Sequence, residues 1–532
     1  MGVTKLPTHF ARKEFRVNAI IRKRMTARKR RIDKRLDKCN YPDDFSEPMM
    51  RGPTPQIELS DRSVGTSYGG IALIRQLVED IDLAGEIDRR LMLFKYHLPY
   101  HESDHVLNFA FNALCGGSCL EDLELRRQDE AYLNLLGATR IPDPTTAGDF
   151  CRRFNESDVD ALQSAIDAAR LKVWSRQSEE FFNEACIEAD GAMVETMAEC
   201  KEGIDYSYKG VWGYHPLVVT LANTGEVLRL VNRSGNRPSH DGAWIKFDEA
   251  IALCRDAGFR RMLLRGDTDF SQTEHLDRWD AQGNISFVFG LDCTNHRHLL
   301  ADDLPENTWK LLKRPPKYEV QTKERSKPPR VKQEIVERRE FKDTQLIDEW
   351  IAETPYRPVA CKQDYRLIVV RKNLSVNDPR QGRLFEDYQY SFYITNDWHS
   401  KAEQVVFSAN NRCNQENYVA QLRSVRALHA PVDNLLSNQA YMLMTALAWN
   451  LKAWLALSLP DPKADGPQCQ ERRSEKAKLL KMEFRTFVNY LIRLPAQVVK
   501  TGRRIVVRLL GWNTWQAVFF RLNSAFTRPM RC

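Results

Sequence analysis

The chain has 532 residues, of which 42% are hydrophobic, enough to fill the cores of more than one domain and too many for a disordered polymer. Lysine and arginine number 79 against 71 acids, a net charge of +8, which points to a polyanionic partner only where the excess is concentrated. Twelve cysteines with no histidine-rich zinc spacing read as reduced, mostly buried thiols, the closest pair being Cys115 and Cys119 in CGGSC.

Basic residues crowd 22–38, in RKRMTARKRRIDKRLDK, and no apolar core follows as a secretory signal requires. This stretch reads as a solvated basic helix or as an arm tracking phosphates, with Arg28, Lys29, Arg30 and Arg31 at its centre. Pro53 and Pro55 mark a linker. Residues 65–178 read as helical, with Ile71, Leu73, Ile74, Leu77, Ile81 and Leu83 on a core face and a second helix over 104–114. Asp143-Pro144-Thr145-Thr146 is a helix start. The short helix that follows, 145–154, carries Arg152 and Arg153, which either pack against neighbours or read DNA.

At Ala185 the pattern turns strand-like. CIEADGAMV, 186–194, is a strand that puts Glu188 and Asp190 on one face, because strand side chains alternate. Strands over 216–221 and 227–231 flank Asn223-Thr224-Gly225-Glu226, a hairpin signal. Residues 240–257 form a helix with Trp244, Phe247, Ile251 and Cys254 on its apolar face. In RMLLRGDTDFS, 261–271, a short apolar run stops at a glycine and acids. That is a buried strand delivering carboxylates at its C-terminal edge, where ligands sit in open α/β sheets. A short helix through 276–279 leads to a strand over 285–291. Three strands, helix, strand, helix, strand predicts antiparallel pairing first and parallel pairing after the helical crossovers.

Residues 295–400 break the pattern. The segment 309–339 is strongly basic and holds two Pro-Pro pairs, and 365–372 and 388–395 read as strands. This is a β-rich insertion whose basic face is either solvated or turned to DNA. Helical periodicity returns at Ser400. Arg412, Glu416 and Arg423, four and then seven residues apart, share one helical face. The apolar run 441–459 is interrupted by Asn450 and Lys452 and reads as a buried helix, not a membrane span. A surface loop over 460–473 and a basic amphipathic helical region over 476–526 end the chain.

Three carboxylates stand out: Asp190 and Asp267 ending two strands, and Glu416 on a helix beyond the insertion. Carboxylates are hard oxygen ligands suited to Mg²⁺ or Mn²⁺, and two such ions support in-line phosphoryl transfer. Without metal, three such acids repel one another. The motifs IEADGAMV, LVNRSGNRPSHDGA, LLRGDTDF, NRCNQENYVAQLR and ALAWNLKAW, in that order, resemble a DDE transposase of a bacterial insertion sequence, of the group-1 DDE domain type (the insertion sequence thirteen-eighty family). The resemblance spans most of 65–510.

The resemblance implies an α/β fold: a ribonuclease-H-like core with a β-rich insertion, flanked by an N-terminal helical DNA-binding region and a C-terminal helical region. It assigns the catalytic and metal-ligand roles to Asp190, Asp267 and Glu416, with two Mg²⁺ per active site and Mn²⁺ as a substitute. Related transposases carry a Tyr-Arg-Glu-Lys signature. Arg412 and Glu416 match it, Arg423 stands where lysine is usual, and Ala409 stands where tyrosine is usual. Arg412 and Arg423 would steady phosphates. Asp269 replaces a common glycine and is a rival or helper for Asp267. Trp398 is the candidate to stack on a flipped base in the insertion.

The expected segments are a basic arm and linker at 1–60, a helical DNA-binding region at 61–180, the first part of the core at 181–294, the insertion at 295–399, the core completion at 400–460 and a basic helical region at 461–532. The expected activity is cut-and-paste transposition: binding of terminal inverted repeats on double-stranded DNA, metal-dependent strand cleavage, and strand transfer to target DNA by a homodimer in a synaptic complex. No membrane association is expected, and the location would be the bacterial cytoplasm, at the nucleoid. The rivals are a ribonuclease-H-like nuclease or resolvase that cuts without joining, and an inactive DNA-binding relic.

Overall fold

The computed structural model describes residues 19–37, 64–96, 99–314, 335, 338, 343–377, 387–411, 413–460, 466–501 and 504–526. Its N-terminal part is helical: α1 (Ala19–Asp37), α2 (Ile71–Asp80), α3 (Leu83–Arg90), α4 (Glu102–Leu114), α5 (Asp122–Arg127), α6 (Glu130–Leu136), α7 (Pro144–Cys151) and α8 (Glu156–Trp174). Asp143 caps α7 as its sequence predicts. The carboxylate accepts from the Thr146 backbone N–H at 2.9 Å, with Pro144 in the first turn.

Behind these helices stands a nine-stranded sheet. Its first five strands are β1 (Glu184–Gly191), β2 (Leu217–Leu221), β3 (Glu226–Val231), β4 (Arg261–Gly266) and β5 (Ile285–Leu291), in the spatial order β3-β2-β1-β4-β5. β1, β2 and β3 pair antiparallel, while β1, β4 and β5 run parallel. The β2–β3 turn needs Gly225, whose φ is +76°. The parallel pairs need crossovers, supplied by α9 (Ala243–Ala257) and α10 (Leu276–Asp280).

The insertion does not form a sheet of its own. β6 (Lys310–Leu311), β7 (Asp343–Tyr356), β8 (Tyr365–Asn377) and β9 (Asp387–Thr395) extend the core sheet, because β9 pairs antiparallel with β5 and covers its open edge. The strand β7 is missing from the sequence reading. Most of the basic segment expected at 309–339 lies outside the described residues.

Strand alternation feeds two cores, one on each face. Met262, Leu264, Phe287, Phe289, Leu367 and Val369 enter the large core shared with the N-terminal helices and α9. Leu263, Val288, Ile368 and Val370 enter a smaller one with Val405 and Val406 of α11 (Ala402–Asn410). Phe247, Ile251 and Cys254 of α9 are buried as expected, whereas Trp244 is 38% exposed and stacks on His275.

Helix α12 (Cys413–Ser424) follows, and α13 (Leu435–Leu457) packs on α4, α8 and β3. α13 buries Asn450 and Lys452 with partners: Asn450 exchanges hydrogen bonds with the Val227 backbone, and Lys452 donates to the Leu480 carbonyl at 2.8 Å. No helix among the described residues is long and apolar enough to cross a membrane.

Three expectations are corrected. The loop expected at 460–473 gives way to helix α14 (Pro467–Lys481), with a proline in its first turn. The helical C-terminal region contains a β-hairpin, Ala496–Thr501 with Arg504–Leu509, which adds Gly65–Thr66 as a third strand. Val498, Val499, Ile505, Val506 and Val507 are β-branched and favour the pleated backbone. The described cysteines are free thiols, but only Cys115, Cys151, Cys254 and Cys361 are buried, so the expectation of mostly buried thiols fails.

Candidate active site

β1 and β4 run side by side, with Glu188 opposite Arg265. Asp190 and Asp267 each lie two residues further on, so both reach the C-terminal edge of the parallel strands at one level. Asp190 is still in β1, where it pairs with Val218 of β2. Asp267 leaves β4 and caps a single turn, its carboxylate accepting from the Asp269 backbone N–H at 3.1 Å. Both aspartates are half-buried, and Asp269 is exposed.

The glycines beside the acids permit close packing. A Cβ on Gly191 would lie 2.5 Å from His215 Nε2, and one on Gly266 would lie 2.5 Å from Phe270 Cβ. His215 is 5% exposed, its Nδ1 sits 2.8 Å from the Arg237 carbonyl, and burial lowers its pKa. The 230–243 linker that frames this edge is organised by Arg233. Its guanidinium donates to the carbonyls of His215, Pro238, Ser239 and Asp241, at 3.0, 3.2, 3.1 and 2.6 Å.

Glu416 lies on α12, which is held against β2. Its neighbour Gln415 is fully buried, accepts from the Thr220 hydroxyl, and donates to the Val218 carbonyl at 3.3 Å. Val218 is the residue paired with Asp190, so α12 is anchored to the strand beside the first aspartate. Tyr418 donates to the Ala222 carbonyl at 3.2 Å, and Arg423 donates to the Met193 carbonyl at 3.1 Å, just past Asp190. Glu416 itself is exposed. Arg412 lies outside the described residues.

Among the described residues no three histidine, cysteine, aspartate or glutamate side chains stand close enough to hold a metal ion. The donor set is nevertheless of the right chemistry for a hard divalent cation. It consists of oxygen ligands only, two of them half-buried at the ends of adjacent strands and the third on an anchored helix.

The other expected contacts fall elsewhere. Trp398 is 49% exposed in the loop after β9. β9 runs against β5, and Asn396 bonds the Ile285 carbonyl at the start of β5. Trp398 therefore stands at the edge of the sheet opposite Asp190 and Asp267. Arg152 lies just past α7 and pairs with Asp149 and Asp433, while the Arg153 guanidinium sits 5.2 Å from the Phe94 ring centre. Arg28 donates to the carbonyls of Leu509 and Gly511, and Lys29 stands 6.0 Å over the Trp512 ring, docking α1 beside the C-terminal hairpin. Arg30 and Arg31 are exposed. A cavity of about 910 Å³ between Glu184, Asn223, Arg473 and Lys476 also lies at the opposite edge and includes none of the three acids.

Sequence reasoning left out His215, Arg233 and Arg265. The linker motif contains Arg233, but nothing in its spacing announces four carbonyls gathered around one guanidinium.

Residues 61–530 match the family described as transposase DDE domain group 1. The chain belongs to that family: it is a DDE transposase, a phosphoryl-transfer enzyme that acts on DNA. DDE transposases generally use divalent metal ions. A solved structure, the piggyBac transposase synaptic complex with hairpin DNA, is similar over 80% of this chain and 84% of that chain, at 10% identity and a TM-score of 0.36. No curated protein sequence matches this chain.

Proposed function

We propose that this enzyme carries out cut-and-paste transposition of a bacterial insertion sequence, with Asp190, Asp267 and Glu416 as its catalytic acids. The observation that carries the reading is the matched position of Asp190 and Asp267 beside one another on parallel β1 and β4, with the Glu416 helix anchored to Val218, the strand partner of Asp190. The strand order β3-β2-β1-β4-β5, antiparallel and then parallel, supports a ribonuclease-H-like core.

In this reading Asp190 and Asp267 form the fixed part of the site, and Glu416, exposed and on a separate element, closes onto the DNA-bound centre. Two divalent ions held by these three acids would supply an activated attacking oxygen and charge stabilisation at the scissile phosphate. Water attacks that phosphate, and the 3′-oxygen of the element's end leaves with the proton that water gives up. The freed 3′-hydroxyl then attacks a second phosphodiester, in the opposite strand or in target DNA, exchanging one ester bond for another. Arg423 steadies a phosphate beside Glu416, as does Arg412. Arg30 and Arg31 of α1 track phosphates, and the N-terminal helical region holds the inverted repeats while a homodimer pairs two ends.

The test is a cleavage and joining assay on DNA carrying the element's ends, with Mg²⁺. Asp190→Asn, Asp267→Asn and Glu416→Gln should each lower cleavage by about a thousandfold, the loss of several kcal/mol of transition-state stabilisation, while DNA binding persists. Asp269→Asn, which keeps the backbone donor to Asp267, should cleave within about tenfold of wild type, a change of about 1.4 kcal/mol. Wild type that cuts but never joins pre-cut ends would favour a nuclease. Binding without any chemistry would favour a relic.

A further inference from the structure

Beneath the acid edge lies a pair of charges that the reaction does not use. Glu188, on the same face of β1 as Asp190, is fully buried. Arg265, two residues before Asp267 on β4, is 7% exposed, and its guanidinium meets the Glu188 carboxylate at 2.5 Å. A second nitrogen of that guanidinium donates to the Ser408 carbonyl at 2.7 Å. Ser408 lies near the end of α11, just before the helix that carries Glu416. One side chain thus touches the Asp190 strand, projects from the Asp267 strand, and ties down the backbone leading to Glu416.

We propose that Arg265 is a positioning residue that sets the relative placement of the three acids from below. The proposal rests on the acid assignment above. A neutral isostere cannot replace it. A guanidinium is planar and presents several donors in a fixed fork, so it can hold a carboxylate and a carbonyl at once with little freedom left. Asp190 and Asp267 are like charges ending neighbouring strands, and a stiff base holds β1, β4 and the end of α11 in fixed relation beneath them. A buried ion pair is a poor device for stability alone, because a matched apolar pair often does as well. Its value here is that it reaches three elements simultaneously.

The experiment separates this role from plain charge compensation. The double variant Glu188→Leu with Arg265→Met removes both charges and restores apolar packing, so folding should be retained. Its unfolding temperature, its DNA binding, and its affinity for Mn²⁺, followed by the paramagnetic resonance of the free ion, would be measured beside wild type. The expected result is normal folding and DNA binding, Mn²⁺ affinity at least about tenfold weaker, the size typical of a lost outer-shell partner, and cleavage reduced in turnover more than in apparent DNA affinity. Arg265→Lys keeps the charge but loses the fork, and should fall between the two.

A double variant that folds, binds Mn²⁺ and cleaves like wild type would overturn the proposal and leave Arg265 as the counter-charge of Glu188. Asp190→Asn and Asp267→Asn belong in the same titration. If they leave Mn²⁺ affinity unchanged, the acid assignment itself fails, and the proposal with it. If they abolish binding while the double variant does not weaken it, only the role of Arg265 is wrong.

Discussion

The two edges of the central sheet use carboxylates in opposite ways. At the N-terminal edge of the parallel strands, Glu226 is fully buried. It accepts from Arg170 at 3.2 Å, Trp174 at 3.0 Å, Trp454 at 2.7 Å and the Thr224 hydroxyl at 2.6 Å, which joins α8 and α13 to the β2–β3 turn. At the C-terminal edge, Asp190 and Asp267 are half-buried. A buried carboxylate survives only when its lone pairs are satisfied, and so becomes structure. A carboxylate only partly buried at a strand end can exchange its partners for a new ligand. The contrast lies in the surroundings, since the residue types are the same.

Glu226→Ala should break the closed edge and gives the largest effect on stability. It takes one of two carboxylates from the fully buried Arg170, which keeps Asp167, and leaves two indole N–H groups without their acceptor, a loss of about 1–3 kcal/mol for each stranded donor, read by urea denaturation. Glu416→Gln, at an exposed carboxylate, should leave that denaturation midpoint unchanged while chemistry collapses. If both variants lost stability equally, the distinction between the edges would fall.

A smaller effect is expected from His215, packed against Gly191 at the open edge. Burial holds its pKa below the ordinary 6.5. Above that pH both folded and unfolded chains carry it neutral, and it contributes no pH dependence. As pH falls below 6.5 the unfolded chain takes up a proton that the folded chain resists, so stability drops. His215→Gln should make the acid limb of the stability profile shallower, by a calorimetric pH series. An unchanged limb would show that the imidazole is not held neutral by its surroundings.

The smallest effect is expected from Trp398→Ala, at the edge away from the acids. Stability should stay within about 0.5 kcal/mol, as for other surface changes, with cleavage unaltered. Base stacking is worth about 1–3 kcal/mol, so a drop in cleavage of about tenfold or more would return Trp398 to the DNA.

Much of the core was legible in the chain. The strand over 285–291 coincides with β5, β2 and β3 differ from their expected bounds by one residue, and β1 runs over 184–191 where 186–194 was expected, because buried apolar runs between turn residues leave few alternatives. β7 escaped because its sequence, DTQLIDEWIAETPY, mixes acids with isolated apolar residues, and pairing with β8 rather than hydrophobicity makes it a strand. The C-terminal hairpin escaped for a related reason. KTGRRIVVRLLGW satisfies a helical period as well as a strand period, and the choice is made by β-strand pairing with Gly65–Thr66 at the far end of the chain.

By itself, then, the sequence determined the order of the five core strands and their crossover helices, the family, and which acids end which strands, since these depend on local patterns of two to four residues. Tertiary structure alone decided that Asp190 and Asp267 stand level, that Gln415 brings the Glu416 helix to Val218, and that Arg265 joins both aspartate strands to Ser408. Those relations arise from strand register and from side chains reaching across elements that lie far apart in sequence, and no local pattern encodes a distance between such elements.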